Sequence, residues 1–237
     1  MKLLALAAAA LSLTLSLAAH AETTANAYLS GFHYELIDLD LNDGIAAQLT
    51  LEDSGLNVMA GYYAAPDNTR QPDPFHYLNT EGTVDVTVAA GSASGTLAAT
   101  SSITSASLQG DQGALFAQTL WGRNFTLTPN SRLVLHADAH VDGAREATRA
   151  SIAYAAVFFT YGDEELYLED GLSTYQGDSE SRALTVALSS GAEELSGNYG
   201  FTTGVYATVT SVPEPSTYAM LALGLAGIAL TARRKLK

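Results

Sequence analysis

The chain contains no cysteine, which excludes a disulfide framework, a thiolate-ligated zinc site and a cysteine nucleophile. Charge is scarce as well: 15% of the 237 residues are charged, and 11 basic residues face 25 acidic ones, for a formal net charge of −14. Nucleic-acid binding needs a basic surface to neutralise phosphates, and this balance excludes it. Disorder is excluded by the same scarcity, because a chain that is 47% hydrophobic buries enough apolar surface to offset its ordering entropy. Tryptophan occurs once, and no apolar run reaches the roughly 20 residues that comfortably span a bilayer.

Two shorter apolar runs stand at the ends. Lys2 provides a positive start, residues 3–17 form an apolar core, and Ala19-His20-Ala21 places small residues where a signal peptidase reads them. This is the pattern of a secretory signal peptide cleaved after Ala21, leaving Glu22 as the first mature residue. A spanning helix is the alternative, but the run is too short and is followed by a cleavage site. At the other end Val212-Pro213-Glu214-Pro215 precedes an apolar stretch over residues 218–232 and the basic cluster Arg233, Arg234, Lys235 and Lys237. The two prolines hold the entry extended, since proline lacks an amide donor and restricts the residue before it. The basic cluster resists translocation, so an exported chain would be retained at the inner membrane with its body outside.

This order of pieces resembles the PEP-CTERM sorting signal of Gram-negative bacteria. The resemblance implies recognition by an exosortase, a membrane cysteine peptidase, removal of the tail near Pro213-Glu214-Pro215, and transfer of the body to the cell surface or exterior. It also implies a host that makes extracellular polysaccharide, with exopolysaccharide or biofilm as the setting. The same tail is known as the ice-binding protein carboxyl-terminal domain, a name that describes some carriers and not the chemistry of the tail. Within the body, residues 32–45 and 125–131 look like segments found in uncharacterised exported proteins that carry this tail.

Set apart from its ends, the body (residues 22–211) has six arginines, no lysine and 24 acidic residues, a net charge of −18. Such a surface is soluble, repels polyanions and offers oxygen ligands to hard cations. Apolar residues recur at period two, as in Phe32, Tyr34 and Leu36 or Ile45, Ala47, Leu49 and Leu51, in short runs punctuated by Gly, Asn, Asp and Ser. Roughly ten such runs are expected to make an all-β domain, an antiparallel β-sandwich with a jelly-roll-like arrangement, flanked by the signal helix and a single carboxyl-terminal hydrophobic helix. The proline-bearing stretch 65–74 reads as a loop that sets the first three strands apart. Residues 91–107, rich in small side chains, read as an edge strand or a flexible, glycosylated segment, and residues 144–155 read as a strand from Ser151 onward in preference to a helix. No fixed-period repeat is present, which argues against a solenoid.

Candidate chemistry is sparse. Asp38, Asp40, Asn42 and Asp43 place oxygen donors ahead of Gly44 in the manner of a calcium loop, but glycine stands seventh instead of sixth and Leu49 takes the place of the bidentate glutamate. Asn42-Asp43-Gly44 between two alternating runs is equally a hairpin turn, and that reading takes precedence. His136, Asp138, His140 and Asp142 share one face of a strand, where two histidines four residues apart are too distant for one metal, so a solvated face is expected. The acidic residues 163–165, Glu169 and Asp170 flank a short strand and read as charged loop ends. Gly91-Ser92-Ala93-Ser94-Gly95 matches a nucleophile-elbow pattern without the strand-to-helix context. Thr126 with Thr128 and Thr208 with Thr210 are too few for an ice-binding array.

The resulting expectation is a non-enzymatic exported surface or matrix protein, whose partners are signal peptidase, an exosortase, transiently the inner membrane, and extracellular polysaccharide. It carries no cofactor, with calcium at Asp38 to Asp43 the one alternative. A carbohydrate-binding or ice-binding module is the second reading and a secreted hydrolase the third. Trp121 and the 12 tyrosines are the available stacking surfaces.

Overall fold

Apolar side chains at every second position can all be buried only if the backbone is extended and one face of it is covered. A computed structural model of the chain shows this arrangement through the body, where it describes residues 22–52, 55–64, 71–109, 112–143, 149–162, 166–175 and 179–209. The strands, in chain order, are β1 (Thr23–Asp38), β2 (Leu49–Glu52), β3 (Leu56–Tyr63), β4 (Phe75–Leu78), β5 (Gly82–Val88), β6 (Gly91–Ala98) and β7 (Ser101–Leu108). They continue as β8 (Gly113–Leu127), β9 (Ser131–Gly143), β10 (Arg149–Tyr161), β11 (Leu166–Ser173), β12 (Ser179–Ser189) and β13 (Leu195–Val209). Glu22–Thr210 form one compact unit. Among the described residues there is no helix, and none long and apolar enough to cross a membrane. The expected signal helix and carboxyl-terminal helix lie outside the described residues.

Every pairing is antiparallel, in two sheets: β12-β9-β1-β7-β6-β5, and β11-β10-β13-β8-β3-β4 with the short β2 also on β8. The inner faces interdigitate in one core whose largest fully buried side chains are Tyr199, Phe159 and Phe201, with leucines from both sheets around them. Burying each such side chain contributes about 1.5–3 kcal/mol. On β9 the alternation is plain: Leu133, Leu135, Ala137, Ala139 and Val141 face inward, while Arg132, His136, Asp138, His140 and Asp142 face out.

Four expectations are corrected. The two-sheet architecture is as read, but β5, β6 and β7 form a meander of neighbours, whereas a jelly roll builds from two Greek keys. The first three strands are not set apart: β1 lies inside one sheet and β3 inside the other, both paired on each side. Residues 91–107 are neither an edge nor loose, because they build β6 and β7 in the interior of the six-stranded sheet. Their small side chains permit close approach of the sheets: a Cβ on Gly95 would stand 3.2 Å from Val58 Cγ1. Residues 45–48 are irregular, so the run read from Ile45 to Leu51 begins its strand only at Leu49.

Two local devices finish the frame. A register shift on β1 between Ser30 and His33 inserts a bulge, so that Ala25, Ala27 and Leu29 face inward before it and Phe32 faces inward after it. At one margin of the sandwich Arg182 on β12 grips Asp170 on β11 with two parallel hydrogen bonds, Nη2 to Oδ1 at 2.7 Å and Nη1 to Oδ2 at 3.0 Å. The Thr185 amide on the edge strand β12 donates to the same carboxylate at 2.7 Å. One carboxylate thereby ties the edge strands of the two sheets together and satisfies an edge amide.

Candidate functional site

The two outer faces of the sandwich differ in chemistry. On the six-stranded sheet most outward positions are polar, with Tyr28 and Ile103 the large apolar side chains exposed among them. Register aligns Asp85, Ser94, Ser105 and Asn26 in one row across β5, β6, β7 and β1, and Thr83 and Thr96 pair their hydroxyls at 2.9 Å. The His136 to Asp142 row lies here, solvated as expected. His136 Nδ1 is 3.2 Å from Thr185 Oγ1, its ring stacks on His33 at 5.1 Å, and His140 Nδ1 is 2.6 Å from Ser181 Oγ.

On the seven-stranded sheet aromatic residues and glycines gather at the outward positions of one part of the face, while Asn124, Asn198, Thr126 and Ser196 occupy another. One row across five strands reads Ile152, Tyr206, Phe116, Gly61, Phe75, and the next reads Tyr154, Gly204, Gln118, Met59, Tyr77. The glycines explain how the rings sit. A Cβ at Gly204 would collide with the Tyr154 ring, and one at Gly61 would lie 2.6–2.7 Å from the Phe116 ring, so each ring rests in space that a neighbouring side chain would otherwise fill. Tyr63 and Phe75 continue the surface, stacked on Phe116 at 5.3 and 6.3 Å with ring planes within 30°. Between Phe116, Tyr154, Tyr206, Tyr63 and Ile152 runs an open groove of about 270 Å³, and among the described residues no side chain lining it is charged. Burial pushes the Tyr154 hydroxyl above its ordinary pKa, while a hydrogen bond with Thr202 pulls it partly back. Phe75 and Tyr77 remain 45% and 48% exposed, which makes this, among the described residues, an exposed apolar surface on a body otherwise rich in carboxylates.

The single tryptophan does not take part. Trp121 is 8% exposed, stacks on Phe201 at 5.3 Å and 10°, and carries the Arg123 guanidinium 5.8 Å from its ring centroid. It belongs to an inner aromatic cluster with Phe32 and Tyr199, where burial first, and then the neighbouring Tyr34, push the Tyr199 hydroxyl up to about 12.

Asp38, Asp40, Asn42 and Asp43 lie where β1 gives way to the loop before β2, and the three carboxylates accept hydrogen bonds from the chain itself. Asp38 Oδ1 accepts from the Asp40 amide at 3.1 Å, Asp40 Oδ1 from the Asn42 amide at 3.1 Å, and Asp43 Oδ1 from the Ile45 amide at 2.7 Å. Asp43 Oδ2 accepts from Asn130 Nδ2 at 2.7 Å, the main reason its carboxyl is held below the ordinary value, with the Ile45 amide second. Gly44 follows with φ +75°, the left-handed conformation a tight turn requires. Such side-chain-to-amide bonds are the chemistry of successive Asx turns. Among the described residues no group of three or more His, Asp or Glu side chains is placed to hold a metal ion.

The other motifs resolve in the same way. Gly91 to Gly95 runs along β6 with no helix after it, Thr126 pairs with Ser196 at 3.0 Å, and Thr128 receives the Gln48 amide at 2.9 Å, tying a loop. Glu169 accepts from the Tyr167 hydroxyl at 2.8 Å. Residues 163–165 and Thr210 lie outside the described residues, as do Ala19, Ala21, Val212, Pro213, Glu214, Pro215, Arg233, Arg234 and Lys235.

Residues 211–235 match a family model described as the PEP-CTERM protein-sorting motif. The protein is thus one that bears a PEP-CTERM sorting signal, and the signal marks an exported chain sorted by an exosortase and anchored in passing at the membrane. No curated protein and no solved structure matches the chain.

Proposed function

We propose that the protein is a non-enzymatic component of the cell surface or extracellular matrix, released from the inner membrane when an exosortase removes its tail, and that its β-sandwich associates with extracellular polysaccharide. The observation that carries this reading is the sorting motif at residues 211–235. Its physical logic is sequential. The signal peptide commits the chain to export, and the apolar stretch 218–232 halts in the bilayer. The cluster Arg233, Arg234 and Lys235 holds the end on the cytoplasmic side until cleavage. The acidic, lysine-free body suits an exterior setting, where mutual repulsion keeps it soluble. The non-enzymatic character is supported by structural roles for two of the candidate groups: His140 bonds Ser181 between β9 and β12, and Asp170 ties β11 to β12.

Fractionation tests the association. The protein is expected in the polysaccharide-rich matrix fraction of the cells that make it, and depolymerising that polysaccharide is expected to free it. Recovery wholly in the medium, at the same level from cells unable to make polysaccharide, would refute a matrix role.

A further inference from the structure

We propose that the aromatic groove on the outer face of the seven-stranded sheet binds an extended, neutral, β-linked polysaccharide chain, laid across the strands over Tyr154, Tyr206 and Phe116. This rests on the reading above that the body works among polysaccharides, and adds which face does so and which class of glycan it takes.

The shape comes first. The two rows cross five strands, and at strand spacings of about 4.8 Å they extend over roughly 19 Å, the length of several linked sugar rings in a straight chain and not of one monosaccharide. Chemistry comes second. A β-linked pyranose with equatorial hydroxyls presents an apolar C–H face and a hydroxyl rim, and it needs rings beneath and hydrogen-bonding groups beside it. The groove supplies Phe116, Tyr154 and Tyr206 as rings, and Gln118 with the tyrosine hydroxyls as polar partners. The glycines matter here, because the absence of a side chain at Gly204 and Gly61 lets the Tyr154 and Phe116 rings lie down along the sheet. Charge comes third. No lining residue is a cation, and Glu52 and Glu169 are the charged outward positions on this face among the described residues. With a body charge of −18, an anionic polymer meets repulsion, and no cation among the described residues lining the groove answers it. A neutral glycan meets neither obstacle.

The test is affinity electrophoresis of the exported protein in gels containing hydroxyethyl cellulose or xyloglucan, both neutral, or alginate, a polyanion. Retardation is expected in the neutral gels and not in alginate. Tyr154→Ala and Phe116→Ala are each expected to weaken retardation about tenfold or more, as removal of a central aromatic anchor does. Gly204→Ala provides a second route that does not depend on deleting a core contact. The atoms nearest its methyl group are the outer end of the Tyr154 ring, so the change displaces that ring, and it too is expected to weaken retardation. Tyr28→Ala, on the opposite face, is expected to leave retardation unchanged, and melting curves identify any variant that has lost its fold. No retardation in the neutral gels overturns the proposal, and so does retardation in alginate alone or retardation that survives all three groove changes. Self-association abolished by the groove changes, with no glycan retardation, also overturns it and assigns the face to a second copy of the chain. In each of these cases the matrix reading is judged separately by fractionation, which does not depend on the groove.

Discussion

The same substitution, threonine to valine, is expected to have opposite effects at two buried positions of this core. Ser102 from one sheet and Thr119 and Thr203 from the other close a ring of hydroxyls, with separations of 2.6, 2.9 and 2.9 Å, and all three side chains are buried. Thr119 also accepts from the Thr203 amide at 3.3 Å. Thr119→Val keeps the shape and removes the two short hydroxyl bonds together with the longer one from the Thr203 amide, while Ser102 and Thr203 retain each other. At about 1 kcal/mol for each short bond the loss is at least about 2 kcal/mol. For a body of this size that is a fall in melting temperature of roughly 4–8 °C. Thr104, a few residues along β7, is fully buried, and its hydroxyl has no hydrogen-bond partner among the described residues. Thr104→Val removes an unsatisfied donor at no cost in contacts and is expected to stabilise by about 1 kcal/mol, the lower end of the desolvation penalty. Urea titration of both variants gives the two values. The triple change Ser102→Ala, Thr119→Val, Thr203→Val is expected to cost less than the sum of its singles, because no orphaned hydroxyl remains. A destabilised Thr104→Val, or a triple variant at least as costly as the sum, would refute the reasoning.

Three further outcomes are expected. The Arg182 guanidinium, and then the Thr185 amide, hold the Asp170 carboxyl below its ordinary 3.8, partly offset by burial. Its contribution is therefore complete above that value and is lost as the pH falls through the depressed one, so the melting gap between the parent and Asp170→Asn should close below about pH 4. A gap that persists unchanged at pH 2 would show that the pair does not act through charge. Because the Asp38, Asp40 and Asp43 oxygens already receive protein amides, added calcium is expected to leave the melting temperature where it was, and a rise of several degrees would restore the cation loop. Asn130→Gly removes the hydrogen bond that ties Asp43 to the turn before β9 while keeping the left-handed φ of 51° at which alanine would be strained, and is expected to loosen the 39–48 loop. Faster amide exchange confined to that loop is the signature, and unchanged exchange would contradict it.

What was legible in the sequence follows the size of the side chains. The run on β9 alternates Leu, Val and Ala with polar residues, and β8, β10 and β13 are dense in Leu, Val, Phe and Tyr, so hydrophobicity alone locates them. The first half of β1 and the pair β6 and β7 alternate Ala, Gly, Ser and Thr, whose contrast is slight, although Ala25, Ala27, Ala93 and Ala106 are as buried as any leucine. They are small because the sheets come close there, and that closeness is a tertiary property. The bulge after Ser30 reversed the parity of β1 midway, which no two-residue pattern reports. The groove was hidden for a related reason. Its rings come from β3, β8, β10 and β13, and they share a face only once register places Gly204 opposite Tyr154 and Gly61 opposite Phe116. The available clue was an aromatic residue at outward positions of several strands with unexplained glycines in the others. Trp121, the more conspicuous residue, is core. The sorting signal lay at the other extreme, contiguous in sequence and readable residue by residue.

Intact-mass measurement of the protein recovered from the cell surface bears on the sorting claim most directly. The expected species begins at Glu22 and ends near Val212-Pro213-Glu214-Pro215, without the apolar stretch and its basic cluster. Surface protein that still carries Arg233, Arg234 and Lys235 would contradict processing by an exosortase.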